Sequence, residues 1–126
     1  MDMHTNGLSP AQWSVMECLW QSRSLTGREA TDLLEEKMGW NRSTTLTLLR
    51  RMEEKGFVKS TAKSGAKTYF PLLQREDAVL QETESFLERV YHGSLSMMVS
   101  ALTHKESLSQ EEIDSLHALL NEMEGK

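Results

Sequence analysis

The side chains best suited to chemistry in this chain lie on one face of a helix predicted over 41–55. Hydroxyl and guanidinium groups dominate that face, which carries Arg42, Ser43, Thr44, Leu46, Thr47 and Arg50. Hydroxyls can meet base edges or phosphates, and Arg can grip guanine or a phosphate. The opposite face is apolar, with core-type spacing at Thr45, Leu48, Leu49 and Met52. The pattern predicts a helix that can lie in a DNA major groove.

Alternatives stay open at this face and beside it. Hydroxyls in the first turn of a helix often serve only as local caps, so we expect Thr44 to be a contact and Thr45 to belong to the core. Arg51 lies on the flank, where it can pair with a phosphate or with an acidic neighbour. An ordinary solvated polar helix would show the same residue types.

A β-hairpin is predicted directly after this helix. Gly56 suits the helix end, 57–61 and 67–72 have the composition of strands, and 63–66 that of a turn. The turn is flanked by polar residues that we expect to contact phosphate, namely Lys63, Ser64 and Lys67. A solvated hairpin tip is the alternative.

Two further helices must position these elements. Ser9 and Pro10 open the first, with Ser as N-cap and Pro at the first helical position. Thr26 and Glu29 form a capping box that opens the second, after a short extended link at 24–25. Apolar residues line its buried face at Ala30, Leu33, Leu34 and Met38, and packing anchors are expected at Trp13, Trp20 and Trp40. Three helices and a hairpin predict a winged helix-turn-helix fold.

The composition changes after about residue 74, where apolar stripes predict three more helices. A long helix runs to about Tyr91, Gly93 interrupts it, and a capping box at Ser109 opens the last helix. Such helices with few aromatics can either fold back on the first domain or pair with a second copy, and we expect pairing. The dimerising residues would be Phe86, Leu87, Val90, Leu95, Met98, Leu102, Ile113, Leu116 and Leu120.

The predicted fold is therefore mostly α with a small β-hairpin. A DNA-binding winged helix-turn-helix domain occupies 1–73, and an all-helical dimerisation arm occupies 74–126.

Charge is unevenly distributed along the 126 residues. Residues 1–70 carry ten Lys/Arg and eight Asp/Glu, a net of +2, whereas 71–126 carry four and eleven, a net of −7, which together return the total of −5. Residues 41–70 include seven basic residues and only two acidic ones. A local positive field of this kind suits phosphate contact, although a solvated charged face is an equal alternative.

Composition excludes several other classes of protein. Hydrophobic residues at 38% indicate a folded domain, and no run of about 18 apolar residues predicts a membrane span. The start of the chain lacks the features of a secretory signal, and the single Cys18 cannot form an internal disulfide, so we expect a cytosolic protein. No cofactor, metal site or catalytic set is predicted, because His4, His92, His104 and His117 share no ligand spacing with Cys18. Cys18 is expected in the core.

Five stretches carry a resemblance across nearly the whole chain. They are LSPAQWSVMECLW at 8–20, LTGREATDLL at 25–34, NRSTTLTLLRRMEEKGFV at 41–58, SFLERVYHGSLSMMVSAL at 85–102 and LSQEEIDSLHALL at 108–120. In this register the chain resembles the penicillinase repressor family, of the BlaI and MecI type, with the copper-responsive CopY repressors as cousins. Those cousins carry a Cys-x-Cys pair near the C-terminus, and LLNEMEGK has none, which argues against copper sensing.

The resemblance implies a dimeric repressor of double-stranded operator DNA. In the family, binding before resistance genes blocks transcription, and a β-lactam-sensing protease pathway relieves it by cleaving the arm. By that register the scissile bond would be Ala101–Leu102, although the neighbouring residues differ and a plain packing helix is an equal alternative. Position 46 is often basic in the family; Leu46 could touch a thymine methyl or reflect a different operator preference.

Two other functions remain as alternatives. One is a repressor of the same fold that answers a metal or a small ligand, which would need a pocket lined by the arm and the wing. The other is a winged-helix module that binds protein and never DNA. An enzyme is a distant third, because no set of nucleophile, base and orienting residue can be named in the sequence.

Overall fold

A computed structural model describes residues 7–105 and 108–125, and His4 lies outside that range. The elements in chain order are α1 (Pro10–Ser22), β1 (Leu25–Thr26), α2 (Gly27–Met38), α3 (Arg42–Glu54), β2 (Val58–Lys63), β3 (Ala66–Pro71), α4 (Arg75–Tyr91), α5 (Leu95–Lys105) and α6 (Gln110–Glu124). The predicted fold is confirmed, mostly helical with one small antiparallel sheet. The chain forms two compact units that divide between Thr83 and Glu84.

The first three helices begin at side-chain caps. Ser9 and Thr26 each accept a hydrogen bond from the backbone of the third helical residue, and Gln12 and Glu29 return it to the cap backbone. The predicted box at Thr26 is thus confirmed, and Ser9 heads a second box that we did not predict. Asn41 caps α3 through its side-chain oxygen. These caps satisfy donors that the first turn leaves unpaired, so they fix where each helix starts.

The hairpin is formed by β2 and β3, which pair antiparallel from Val58↔Pro71 to Lys63↔Ala66. Ser64 and Gly65 connect them, with φ of 52° and 80°. Positive φ at both central residues is the conformation of a two-residue hairpin turn whose twist matches that of the paired strands. Glycine adopts it without a Cβ clash. The predicted turn is confirmed.

A third strand was not predicted. Leu25, expected in an extended link, and Thr26, expected only as a helix cap, pair with Tyr69 and Thr68 and make β1 one edge of a sheet ordered β1-β3-β2. The link between α1 and α2 is thereby fixed to the hairpin by backbone hydrogen bonds, so the wing is part of the domain's sheet and not a free appendage.

The core of the first unit gathers apolar side chains from the first three helices and all three strands. The largest fully buried ones are Met16, Leu19, Leu34, Leu49, Met52, Val15 and Val58. Cys18 is buried as predicted. Met38 is an error of prediction, since it is 47% exposed; α2 ends there and contributes Ala30, Leu33 and Leu34 to the core cluster.

The expectation that the tryptophans pack is confirmed. Trp20 meets Trp13 edge to face with ring centroids 5.5 Å apart, and its indole N–H donates to the Leu73 carbonyl over 2.9 Å. Trp40 packs against the core cluster while remaining partly exposed.

The first unit continues into α4, ten residues beyond the predicted boundary at 73. Ala78 is only 3% exposed, Arg75 lies 3.5 Å from a Glu17 carboxylate oxygen, and its guanidinium lies 6.0 Å from the Trp20 ring centroid. The ion pair is exposed and contributes little, so apolar burial at Ala78 is the stronger contact.

The second unit contains the rest of α4 with α5 and α6. His92 and Gly93 end α4 with positive φ, where the sequence predicted an interruption. Ser109 accepts from the Glu112 backbone, which is the hydroxyl half of the predicted box. Many large apolar side chains of this unit are exposed, including Phe86, Val90, Leu95, Met97, Leu102, Leu116, Leu119, Leu120 and Met123. In the described residues, no helix has the length and hydrophobicity needed to cross a membrane.

Candidate nucleic-acid interface

The core fixes the orientation of α3. Thr45, Leu49 and Met52 are fully buried at the positions i, i+4 and i+7. At the N-terminal end, the Asn41 side-chain oxygen accepts from the Thr44 backbone N–H over 2.8 Å. The helix is therefore held along its length, and the direction of its outer face is set by packing.

That outer face brings the predicted contact residues together. Arg42, Ser43, Thr44, Arg50 and Arg51 are exposed, and Thr47 is partly exposed. The face thus combines guanidinium groups with hydroxyls on one rigid element, a chemistry that suits phosphates and base edges. Contact with DNA by these residues stays a prediction.

Leu46 departs from the expectation that it faces solvent. Its side chain is partly buried and packs against the core cluster. The start of α2 lies against it. A Cβ placed on Gly27 would stand 3.6 Å from the Leu46 Cδ2 and 3.8 Å from the Tyr69 Cε1. Leu46 therefore combines packing with partial exposure, and its contact with a base stays a prediction.

A concavity of about 400 Å³ opens beside the outer face of α3. It is lined by Ala11, Trp40, Ser43, Thr44, Thr47, Leu48 and Arg51. Sequence reasoning missed Ala11, Trp40 and Leu48 here, because it assigned the last two to packing alone. The signal for Trp40 was its place directly before the N-cap Asn41, where a side chain must lie near the first turn of α3.

The wing presents its predicted residues at its tip. Lys63, Ser64 and Lys67 are all exposed, and among the residues that the structure describes none of them forms an ion pair. The root of the wing is tied to α3, because the Ser60 hydroxyl donates to a Glu53 carboxylate oxygen over 2.6 Å. This link, which the sequence did not reveal, fixes the wing relative to the helix.

The electrostatics of this surface are those of exposed cations. Glu53 and Glu54 are the only acidic residues among 41–70, against seven basic ones, so basic side chains predominate around α3 and the wing. Among the described residues, the pKa shift lies in the core and not at this surface. Burial raises the pKa of the Cys18 thiol in the core, and Lys37 lowers it by a smaller amount. Among the described residues, no cluster of His, Cys, Asp or Glu could hold a metal ion.

The predicted cleavage position falls inside a regular helix. Ala101 and Leu102 lie within α5, and both are exposed, Leu102 by 53%. A protease that needs an extended substrate would have to unwind α5 locally before reaching this bond. Cleavage at Ala101–Leu102 stays a prediction.

Comparison with known proteins agrees with this geometry. The chain is 29% identical over 121 residues to the methicillin resistance regulatory protein MecI of Staphylococcus aureus strain N315, covering 96% of this chain and 98% of that one. It is 30% identical over 115 residues to the penicillinase repressor of Bacillus licheniformis, covering 91% and 90%. The solved DNA-binding domain of the repressor BlaI superposes with a TM-score of 0.52 at 26% identity, over 56% of this chain and 85% of that domain.

The family profile described as penicillinase repressor matches residues 8–122, which includes both compact units of the structure. With the winged helix-turn-helix fold and the basic outer face of α3, the match is decisive: this chain belongs to the penicillinase repressor family.

Proposed function

We propose that the protein is a homodimeric transcriptional repressor that binds a pseudo-palindromic operator. In each protomer α3 enters the major groove, and the wing tip contacts the phosphate backbone. One observation carries the proposal: α3 is anchored in the core by Thr45, Leu49 and Met52 while its outer face presents exposed arginines and hydroxyls. A rigid helix with that chemistry suits sequence reading.

The proposed targets are genes of the antibiotic-resistance type. The relatives at 29% and 30% identity are named for methicillin resistance and for penicillinase, and the match extends over nearly all of each chain. We propose that binding to an operator before such genes blocks their transcription.

Pairing of two protomers is proposed to occur through the second unit. Its exposed apolar residues include Phe86, Leu116 and Leu120, which lie on α4 and α6. Apolar side chains left exposed in this number are typical of a surface that associates. Two reading helices on two half-sites then supply affinity and specificity together.

Relief of repression is proposed to act on the same unit. Cleavage near Ala101–Leu102, by a protease linked to a sensor, or another signal at α5 would separate the protomers. A repressor that needs two half-sites then loses most of its affinity for the operator.

The test is binding of the purified protein to the duplex upstream of its own gene, against a scrambled duplex, over a salt series. We expect tight binding to the promoter duplex, saturation at two protomers per site and steep weakening with salt. Equal, weak binding to both duplexes would place the operator elsewhere. No binding at any salt concentration would contradict the repressor function and favour a protein-interaction module.

A further inference from the structure

We propose that Trp20, with Arg75 lying across its ring, determines which half-site spacing the repressor accepts. The two side chains hold the start of α4 against α1, inside the first unit. They are positioning residues, because they act through the direction in which α4 leaves the DNA-binding domain and not by contact with a base. The inference rests on the proposed function, in which two protomers pair through the second unit.

The connector between the wing and α4 is held from two sides. Residues 72–74 separate β3 from α4. The Leu73 backbone N–H donates to the Phe57 carbonyl over 3.1 Å, and the Leu73 carbonyl accepts from the Trp20 indole N–H over 2.9 Å. A residue whose backbone donor and acceptor are both engaged has little freedom to turn. The connector is therefore part of the folded unit and differs from a flexible linker.

Further contacts hold the first turns of α4. The Arg75 guanidinium lies 6.0 Å from the Trp20 ring centroid, and its Nε lies 3.5 Å from a Glu17 carboxylate oxygen. Ala78, three residues further along the helix, is only 3% exposed. Leu73, Arg75 and Ala78 are held at successive points along the chain. These contacts therefore constrain the direction in which α4 begins as well as its position.

α1 supplies a fixed support for these contacts. Trp13 meets the Trp20 ring edge to face with centroids 5.5 Å apart, and its indole N–H donates to Glu17 over 3.1 Å. On its inner side α1 places Met16 and Leu19, both fully buried, in the core that also anchors α3. The start of α4 is therefore held to the same core as the reading helix.

The direction of α4 has consequences once two protomers pair. α4 continues to Tyr91 and carries Phe86 and Val90, which are exposed apolar side chains of the proposed pairing surface. Each base pair inserted between half-sites moves the second one by about 3.4 Å and turns it by about 35° around the duplex axis. A dimer whose reading helices cannot follow this movement accepts one spacing, whereas loosened attachment of α4 would let them adapt.

Binding of the full-length protein to duplexes of different spacing tests the proposal. In vitro selection with the wild type gives a dyad, and its centre is then shortened or lengthened by one or two base pairs. By fluorescence anisotropy, the wild type should bind the dyads altered by two base pairs at least about tenfold more weakly than the selected one. In the double variant Trp20→Phe with Arg75→Gln, that penalty should fall to about threefold or less. An unchanged penalty would overturn the proposal.

Trp13→Phe is the matched control. It also removes an indole hydrogen bond from α1, but the acceptor Glu17 lies on α1 itself, so the hold of Trp20 on Leu73 is kept. This variant should retain the wild-type spacing penalty. A purely structural role of Trp20 would weaken binding to every spacing by the same factor, which would also overturn the proposal.

Arg75→Gln alone keeps the test valid if Trp20→Phe impairs folding, because the Arg75 side chain is 56% exposed. Its spacing penalty should lie between those of the wild type and the double variant. A penalty equal to that of the wild type would remove Arg75 from the positioning role.

The two proposals fail differently. If selection yields no preferred duplex, or one without a dyad, the homodimeric repressor is refuted. If the wild type prefers a dyad but tolerates every spacing, or shares its spacing penalty with the double variant, only the role of Trp20 and Arg75 is refuted.

Discussion

The buried hydroxyl of Thr45 has no hydrogen-bond partner among the described residues. Thr45→Val keeps the shape and removes the unsatisfied group, so we expect the free energy of unfolding to rise by about 1 kcal/mol. Urea denaturation checks this. Thr31→Val is the matched control, because the buried Thr31 hydroxyl donates to the Arg28 carbonyl over 2.9 Å and its loss should destabilise the protein. Destabilisation by Thr45→Val would mean that its hydroxyl is satisfied after all.

Cys18 gives the stability a specific dependence on alkaline pH. Burial raises the pKa of its thiol above the ordinary value of 9.0, so the unfolded chain loses the proton first. The contribution is present below pH 9.0 and is lost as pH rises towards the folded pKa, by at most about 1.4 kcal/mol per pH unit. Denaturation at pH 8 to 10.5 should show an extra decline in the wild type relative to Cys18→Ala. Parallel curves for the two proteins would contradict the prediction.

Thr47 and Arg50 are the positions at which we expect base readout to be measurable. Thr47→Ala or Arg50→Ala should weaken specific binding by about 1–3 kcal/mol, with a smaller effect on a scrambled duplex. Titration of both duplexes with each variant measures the discrimination. Unchanged discrimination would remove these two residues from the set of base contacts.

At the scale of elements, features set by neighbouring residues could be predicted from the sequence, whereas pairing between distant segments could not. The cap at Thr26 and the two-residue hairpin at Ser64 depend on neighbours in sequence, and both are confirmed. β1 has only two residues, and its partners Thr68 and Tyr69 lie more than forty positions away, so no local pattern reveals it. The partial burial of Leu46 was missed for the same reason, since it depends on the start of α2, where Gly27 lies beside the Leu46 side chain. The hydroxyl and guanidinium set on α3 was readable because helical periodicity alone places it on one face.

The first turns of α4 should belong to the stable part of the first unit. A fragment ending at 83 keeps Ala78 buried, whereas one ending at 73 lacks it. We expect the longer fragment to be more stable by about 1 kcal/mol, in line with burial of one or two methyl-sized groups. Thermal denaturation compares them, and Ala78→Asp in the longer fragment should cancel its advantage. Equal stability of the two fragments would return the boundary to 73.

At the scale of the whole molecule, we expect the oligomeric state to depend on the exposed apolar side chains of the second unit. Leu120→Glu places a charge where a proposed partner packs, and the dimer dissociation constant should rise at least about tenfold. Asn121→Glu adds the same charge at an exposed neighbouring position and serves as control. Analytical ultracentrifugation over a concentration series measures the dimer dissociation constant of the wild type and of both variants. A wild-type monomer, or an equal effect of both variants, would contradict pairing through this surface.

The partial burial of Leu46 divides the outer face of α3 into two kinds of position. Exposed sites such as Ser43, Thr44 and Arg50 can change their side chains with little effect on folding, whereas Leu46 is constrained by the core cluster and by the start of α2 at Gly27. If α3 reads the operator as proposed, we expect exchange of target sequence to be easiest at the exposed sites. We expect a library that varies these exposed sites and keeps Leu46 to contain a larger fraction of folded variants than one that also varies position 46. A change of target sequence through position 46 should need compensating changes in α2.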